Sequence, residues 1–271
     1  MAFFFCARTM RNMDFMHALV LGIVEGVTEF LPISSTGHLM LVSELLRIPN
    51  TEFLKTFEIV IQLGAILAVV VLYPKRLFVD RASMLRIVVA FIPTGIIGLL
   101  LHKVVKQYLF GNISLILWAF AIGGVVIILF ERYVLPARQN ASGEGVLEDL
   151  PLQSAAWIGV IQTLALIPGV SRSAATIFGG MYFGLSRAAA VEFSFLLAVP
   201  VMAAATALDL LKSHALLTDA NWSALGFGFL AAFVVALLAI KFLVRFVKTH
   251  TFVPFAYYRI FIALIGFFIF F

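Results

Sequence analysis

Charge is what this chain has least of. Only 12% of its 271 residues are Asp, Glu, Lys or Arg, against about 25% in ordinary soluble domains. So few charges cannot cover a water-facing surface, which excludes a soluble globular enzyme and a disordered chain. The net charge of +5 does not point to nucleic acid; it reads as loop Lys and Arg facing acidic headgroups. Cysteine is nearly absent too. The single Cys6 allows no internal disulfide and no Cys-rich metal site. Walker A, HExxH and GxSxG patterns are missing. No cleavable signal peptide is predicted, because the apolar Phe3 to Phe5 run is short and has no basic stretch before it.

Apolar side chains fill the chain instead. Hydrophobic residues make up 63% of it, Phe alone contributes 28, and mean hydropathy is +1.09. A spanning helix needs about 20 mostly apolar residues. Six stretches meet that test: about 56–73, 87–102, 113–130, 190–210, 224–243 and 253–271. Four more are apolar but short: about 15–31, 36–47, 154–167 and 173–187. Pro32 interrupts the first pair and Pro168-Gly169 the second. Proline tends to end a helix, and broken backbone is tolerated in a membrane only inside protein or beside a wet cavity. The prediction is an all-α polytopic membrane protein, one integral domain over 1–271, with about six transmembrane helices and two re-entrant helical hairpins.

The two halves, about 15–131 and 153–271, read as repeats joined by a polar linker at 136–151. Gly22-Ile23-Val24-Glu25 recurs as Gly159-Val160-Ile161-Gln162. Pro32 to Thr36 recurs as Pro168 to Ser173, and Leu101 to Lys106 resembles Ile240 to Arg245. Each unit is a hairpin and three spans, and an odd number of spans turns the second unit upside down, giving an inverted repeat. The side collecting Lys75, Arg76, Arg81, Arg132 and Lys241 holds slightly more Lys and Arg than the side of Arg8, Arg47, Lys55 and Lys103. That balance favours the first side as cytoplasmic.

Ionisable residues inside membrane segments are candidates for function, and here they gather beside the two breaks. Glu25 and Glu29 are four apart on one helix face. Side by side in low dielectric they need a cation, a shared proton or an Arg. Mg²⁺ or Ca²⁺ suits them as hard ions that take oxygen ligands. Ser34, Ser35 and Thr36 open the next half-helix, where caps and free N–H groups make an anion site. His38, three residues past Ser35, suits a proton relay or phosphate binding. At the second break Ser171, Ser173 and Thr176 again open a half-helix, with Arg172 in its first turn. Arg matches phosphate oxygens with a planar fork. A cation at a helix N-terminus inside a membrane calls for an anion, and a lipid pyrophosphate provides one while its tail stays in the bilayer. Arg172 equally suits an ion pair with Glu25 or Glu29. Glu58, Gln62, Gln162 and Glu192 are lesser candidates, and His17, His102, His214 and His250 read as interface or loop residues. A further membrane-phosphatase plan, a Ser-Arg pair with a His six residues on, is disfavoured because no His lies between Ser173 and Phe178.

The stretches Glu25 to His38 (EGVTEFLPISSTGH) and Pro168 to Thr176 (PGVSRSAAT) resemble the two signature motifs of the undecaprenyl-diphosphatase family, also called the bacitracin-resistance family. TFEIVIQLGAILAVV and EFSFLLAVPVMAAATALDL resemble it too, and the likeness covers roughly 15–271. Residues 1–12 look like an extension, and Ala174 stands where many members have Gly. The resemblance implies a phosphatase of undecaprenyl diphosphate that recycles the carrier for wall synthesis and confers bacitracin resistance. It also implies a bacterial cytoplasmic membrane, a site open to the outer face and dependence on a divalent cation. By motif position Glu25, Glu29, Ser35, His38 and Arg172 take the principal roles, and Ser34, Thr36, Ser171, Ser173 and Thr176 support substrate binding. Ser35 is the predicted nucleophile, with Glu29 or His38 taking its proton and Glu25 and Glu29 holding the metal. Two alternatives stay open: direct attack by metal-activated water, and a carrier that moves a polyprenyl phosphate without cleaving it. The predicted partners are the lipid substrate and the membrane, with no nucleic acid and a homodimer left open.

Overall fold

A computed structural model describes residues 13–105, 109, 111–139, 145–213 and 222–271. The expectations for 1–12 (with Cys6 and Arg8), Lys106, His214 and the middle of the 136–151 linker lie outside the described residues. Among the described residues the chain is helical, with no strand beyond an isolated bridge from Gly145 to Leu185.

The first half begins with α1 (Phe15–Thr28) and α2 (Ser35–Leu45), then α3 (Glu52–Leu72), α4 (Arg81–Val104) and α5 (Ile113–Leu129). The second half repeats that order as α6 (Leu152–Gln162), α7 (Arg172–Tyr182), α8 (Arg187–Ser213), α9 (Trp222–Phe246) and α10 (Val253–Phe270). Six helices are long and apolar enough to cross a membrane: α3, α4, α5 with its continuation, α8, α9 and α10. They match the six apolar stretches, and α3, α4 and α8 begin earlier, at the polar residues Glu52, Arg81 and Arg187. Thr51 caps α3 by accepting from the Leu54 N–H at 3.2 Å, and Asn112 caps α5 by accepting from Leu115 at 3.0 Å. The other four have 14, 11, 11 and 11 residues. At 1.5 Å per residue each is well short of the roughly 30 Å hydrocarbon core. Large apolar side chains such as Leu99, Leu100, Ile122 and Phe268 point outward, a surface that suits lipid rather than water.

Both pairs of short helices turn where proline dictated. In the first break the Ile33 N–H donates to Leu31 O at 2.7 Å and Ser34 takes φ 71°, a left-handed value that serine rarely adopts. In the second, Val170 N–H donates to Ile167 O at 3.0 Å and Gly169 takes φ 91°. Pro168 then Gly169 is the pair that a type II turn asks for. The predicted 173–187 segment ends earlier, at Tyr182, because Gly184 (φ 99°) turns the chain. The linker differs as well. A π turn at Phe130–Val134 carries α5 on into a short helix at Leu135–Gln139, and Leu147–Asp149 form a 3₁₀ turn. Leu147 and Leu150 are buried, and these two leucines hold the linker's end against the core.

The halves pack by exchange. α9 lies against α1 and α3; α4 lies against α6 and α8; α10 lies against α5. Each hairpin's first helix thus rests on the second span of the other half. Small residues permit the approach: a Cβ added at Gly26 would sit 2.7 Å from Ala232 O. The result places both breaks side by side in the middle of the bundle, over α5. Gly169 meets Ile116 and Ala119 there, and Gly37 meets the Phe120 ring.

Candidate active site

α1 delivers two carboxyls to the first break. Glu25 is on its last full turn, and Glu29 is its C-cap, with its N–H on Glu25 O at 2.9 Å. Both side chains are buried. The chain then turns through Pro32 and re-enters α2 with Ser35 in the first turn. This fold-back brings the Ser35 hydroxyl onto Glu29 Oε2, to which it donates a hydrogen bond. The other oxygen, Oε1, accepts from Arg172 Nη2 at 2.9 Å. Glu29 therefore joins the two breaks. A carboxylate so placed can accept the Ser35 proton while the guanidinium holds its charge.

Arg172 is anchored on its far side. Its Nη1 donates to Ser194 O at 2.9 Å and lies 3.3 Å from Ser194 Oγ, and its guanidinium lies 5.8 Å from the centre of the Phe30 ring. Ser171 caps α7 by accepting from Ala174 N–H at 3.1 Å. Ser173 donates to Leu31 O at 2.6 Å, a stitch from the second break to the first. Thr176 lies 2.7 Å from Ser194 Oγ and 3.0 Å from Arg172 O. Ser173 and Thr176 thus spend their hydroxyls on the protein and do not line the pocket; Ser171 does.

His38 faces away from Ser35. Its Nδ1 is 2.7 Å from Ser34 O and its Nε2 is 2.9 Å from Tyr258 Oη. A carbonyl only accepts, so Nδ1 carries a proton; in the neutral ring Nε2 accepts from the Tyr258 hydroxyl. The ring stacks on Tyr258 at 5.6 Å and does not line the pocket. What it holds is the carbonyl of Ser34, the residue with the left-handed φ.

The pocket is small, about 90 Å³, and is bordered by Glu29, Ser34, Ser35, Thr36, Gln62, Val170, Ser171, Arg172 and Met202. The N-terminal ends of α2 and α7 both meet it, and no side chain caps α2. Two helix N-termini and a guanidinium at one buried place make an anion site. Thr36, Gln62 and Val170 also border a larger cavity of about 600 Å³, which runs past Ser43, Asn50, Lys55 and Glu58.

Glu25 is the unfinished part. Both its oxygens are buried without a hydrogen-bond partner. The charged groups that act on it are Glu29, Glu58 and Arg172. Paired carboxyl oxygens need a proton or a cation between them. Among the described residues no three His, Cys, Asp or Glu side chains come together as a metal cluster. Mg²⁺-type ions take as few as one or two carboxylates and complete their shell with phosphate and water; of the two carboxyls Glu29 borders the pocket, and Glu25 lies one helical turn behind it.

Sequence reasoning did not single out Ser194, Met202, Tyr258 or Arg259. Ser194 and Met202 arrive from α8, and Tyr258 from α10. Arg259 was the most visible of them, a lone Arg inside an apolar span, which by itself marks a candidate.

A helical membrane protein with a buried Ser–Glu–Arg set between two helix N-termini has the makings of an enzyme for an anionic, membrane-held substrate. The chain belongs to the family described as bacitracin resistance protein BacA, whose family model matches residues 18–265. It is 50% identical over 248 residues to a protein of Aquifex aeolicus, covering 92% of this chain and 95% of that one. It is 51% identical over 249 residues to one of Thermus thermophilus, covering 91% and 94%. It is 49% identical over 253 residues to one of Wolinella succinogenes, covering 93% and 97%. All three are named undecaprenyl-diphosphatase.

Proposed function

We infer that this chain hydrolyses undecaprenyl diphosphate to undecaprenyl phosphate and inorganic phosphate. Relatives of that name match it at about half identity over nearly their whole length. The observation that carries the chemistry is Glu29, which holds the Ser35 hydroxyl with one oxygen and Arg172 with the other.

In the proposed mechanism the prenyl tail stays among apolar helices while the diphosphate enters the pocket through the larger cavity. Arg172 and the N-termini of α2 and α7 balance its charge. Phosphoryl transfer rests mostly on such positioning and charge stabilisation. Ser35 Oγ attacks the terminal phosphorus as Glu29 takes its proton. The bond from that phosphorus to the bridging oxygen breaks, and undecaprenyl phosphate leaves with the electron pair. Water then attacks the phosphoserine, inorganic phosphate departs, and Ser35 recovers its proton from Glu29. Glu25 and Glu29 would hold a divalent cation, which supplies further charge neutralisation at the phosphate oxygens. His38 acts in this reading on the backbone of Ser34, and Glu29 takes the Ser35 proton because it alone of the two touches Ser35. Ser34, Thr36 and Ser171 supply hydroxyls to the pocket.

The proposed setting is the bacterial cytoplasmic membrane, with the pocket open to the outer face, and the halves are proposed to be inverted repeats. The small Lys and Arg imbalance supports the orientation, and the exchanged packing of α1 on α9 and α6 on α4 supports the repeat. Phosphate release by the purified protein, given undecaprenyl diphosphate and Mg²⁺ or Ca²⁺, tests the activity. Release supports the phosphatase; tight binding of undecaprenyl phosphate with no release would identify a carrier instead.

A further inference from the structure

Among the described residues Arg259 is the largest fully buried side chain, 1% exposed. Its hydrogen bonds among the described residues all go to carbonyls. Nη2 donates to Ala119 O at 2.8 Å and to Gly169 O at 2.9 Å; Nη1 donates to Pro32 O at 3.3 Å; Nε reaches Phe120 O at 3.4 Å. The group also lies over the Phe120 ring, 5.4 Å from its centre. No carboxylate among the described residues forms an ion pair with it within 4.0 Å. A buried cation without a counter-charge is costly, and in a membrane protein such a residue points to function.

The four carbonyls say what that function is. Ala119 and Phe120 belong to α5, the floor under both breaks. Pro32 lies in the first break, three residues before Ser35, and Gly169 lies in the second, three residues before Arg172. A broken helix leaves carbonyls without their ladder partners, and one guanidinium serves a carbonyl from each break. Its nitrogens are fixed in a plane, so the separation of Pro32 O and Gly169 O is set by a rigid group. Arg259 does not border the pocket.

We propose that Arg259 is a positioning residue for the reaction: it sets the gap between the loop that carries Glu29 and Ser35 and the loop that carries Arg172. This rests on the reading that the reaction runs between those loops. Gly123 provides the room, since a Cβ there would collide with the guanidinium. A substitution at Gly123 therefore disturbs the clasp while Arg259 remains.

The test uses the full-length purified protein, with Arg259→Lys, Arg259→Gln and Gly123→Ala compared with wild type and with Arg172→Ala. Thermal unfolding, kcat and KM for undecaprenyl diphosphate are measured on each. Displaced reacting groups reduce turnover more than affinity, because the prenyl tail still binds. The expected result is a roughly 10- to 100-fold loss of kcat in folded Arg259→Lys and Gly123→Ala, with KM within about threefold of wild type. If either Arg259 variant fails to fold, Gly123→Ala carries the test. Wild-type kcat in the folded variants beside an inactive Arg172→Ala overturns the proposal, as does a loss confined to thermal stability or to KM. Full activity in Arg172→Ala overturns the underlying site reading and the proposal with it.

Discussion

Arg172 Nη2 donates to Glu29 Oε1 at 2.9 Å, across a separation of 143 positions. Each break thus contributes one member of a buried ion pair. Breaking such a pair by removing one partner typically costs about 3–5 kcal/mol, because the other charge is left uncompensated. The pair is also a construction joint: it fixes which oxygen of Glu29 remains for Ser35.

Ser35→Ala removes the attacking oxygen and leaves the pair in place. Turnover is expected to fall by about 1000-fold or more, with lipid binding retained. Rapid quenching of the wild type followed by intact-mass measurement should show one added phosphoryl group, located to Ser35 by peptide mapping. Substantial turnover in Ser35→Ala would leave direct attack by water as the mechanism.

Glu25 has two buried oxygens and no donor. If Glu25 and Glu29 share a divalent cation, a chelator should abolish phosphate release and added Mg²⁺ or Ca²⁺ restore it. Glu25→Gln should raise the metal concentration needed for half-maximal activity by about tenfold or more. An unchanged metal requirement in Glu25→Gln would place the cation elsewhere.

His38 holds Ser34 O, and Tyr258 holds His38. Tyr258→Phe removes one hydrogen bond while the bond to Ser34 survives, so kcat should fall less than tenfold, in line with about 1 kcal/mol for a lost bond. His38→Ala leaves the carbonyl of the strained Ser34 only the 3.3 Å bond from the backbone N–H of residue 38 and should cost considerably more. Equal losses in the two variants would contradict a positioning role carried by His38 through Ser34.

At the ends of the membrane segments, Arg76 gathers three acids, one of them, Glu192, near the start of α8. It pairs with Asp80 at 2.7 Å and Glu192 at 2.8 Å, and also with Glu148. The Ser83 hydroxyl and Arg76 hold the Asp80 carboxyl down to about 2, and a backbone N–H and Arg76 hold Glu148 below its ordinary value. A depressed carboxylate stabilises the fold above its unfolded value and loses that contribution as pH falls through its folded value. The apparent Tm should therefore stay flat, as far as Asp80 is concerned, from neutral pH to about 4, then decline between about 4 and 2. Asp80→Asn should lower the Tm at pH 7 and flatten that acid decline. The same slope in the variant would contradict the assignment.

The spans were legible because a lipid-facing helix announces itself by length and hydropathy alone, as α4 and α10 do. The two breaks were legible because Pro32 and Pro168-Gly169 stop a helix by local sterics. Glu25, Glu29, Ser35 and Arg172 stood out because charge and hydroxyls are rare in such surroundings. The partners of those residues were not legible. Ser194 sits in a run of Phe and Leu, and nothing local indicates that Arg172 will reach it. His38 sits on the turn after Ser35, but the residue it meets, Tyr258, comes from the last helix. That helix continues past Pro136 was not legible, because the π turn at Phe130–Val134 that carries it there is a tertiary choice held by Arg187 and the Phe252 N–H on buried Glu131.

In the proposed function one reaction site is assembled from both breaks, with Glu29 and Arg172 in it. Phosphate release from undecaprenyl diphosphate, measured on purified wild type, Glu29→Gln and Arg172→Ala under matched lipid and metal conditions, tests it most directly. Release by the wild type is expected, with losses of about 100-fold or more in each variant while both proteins stay folded. Wild-type rates in both variants would contradict it.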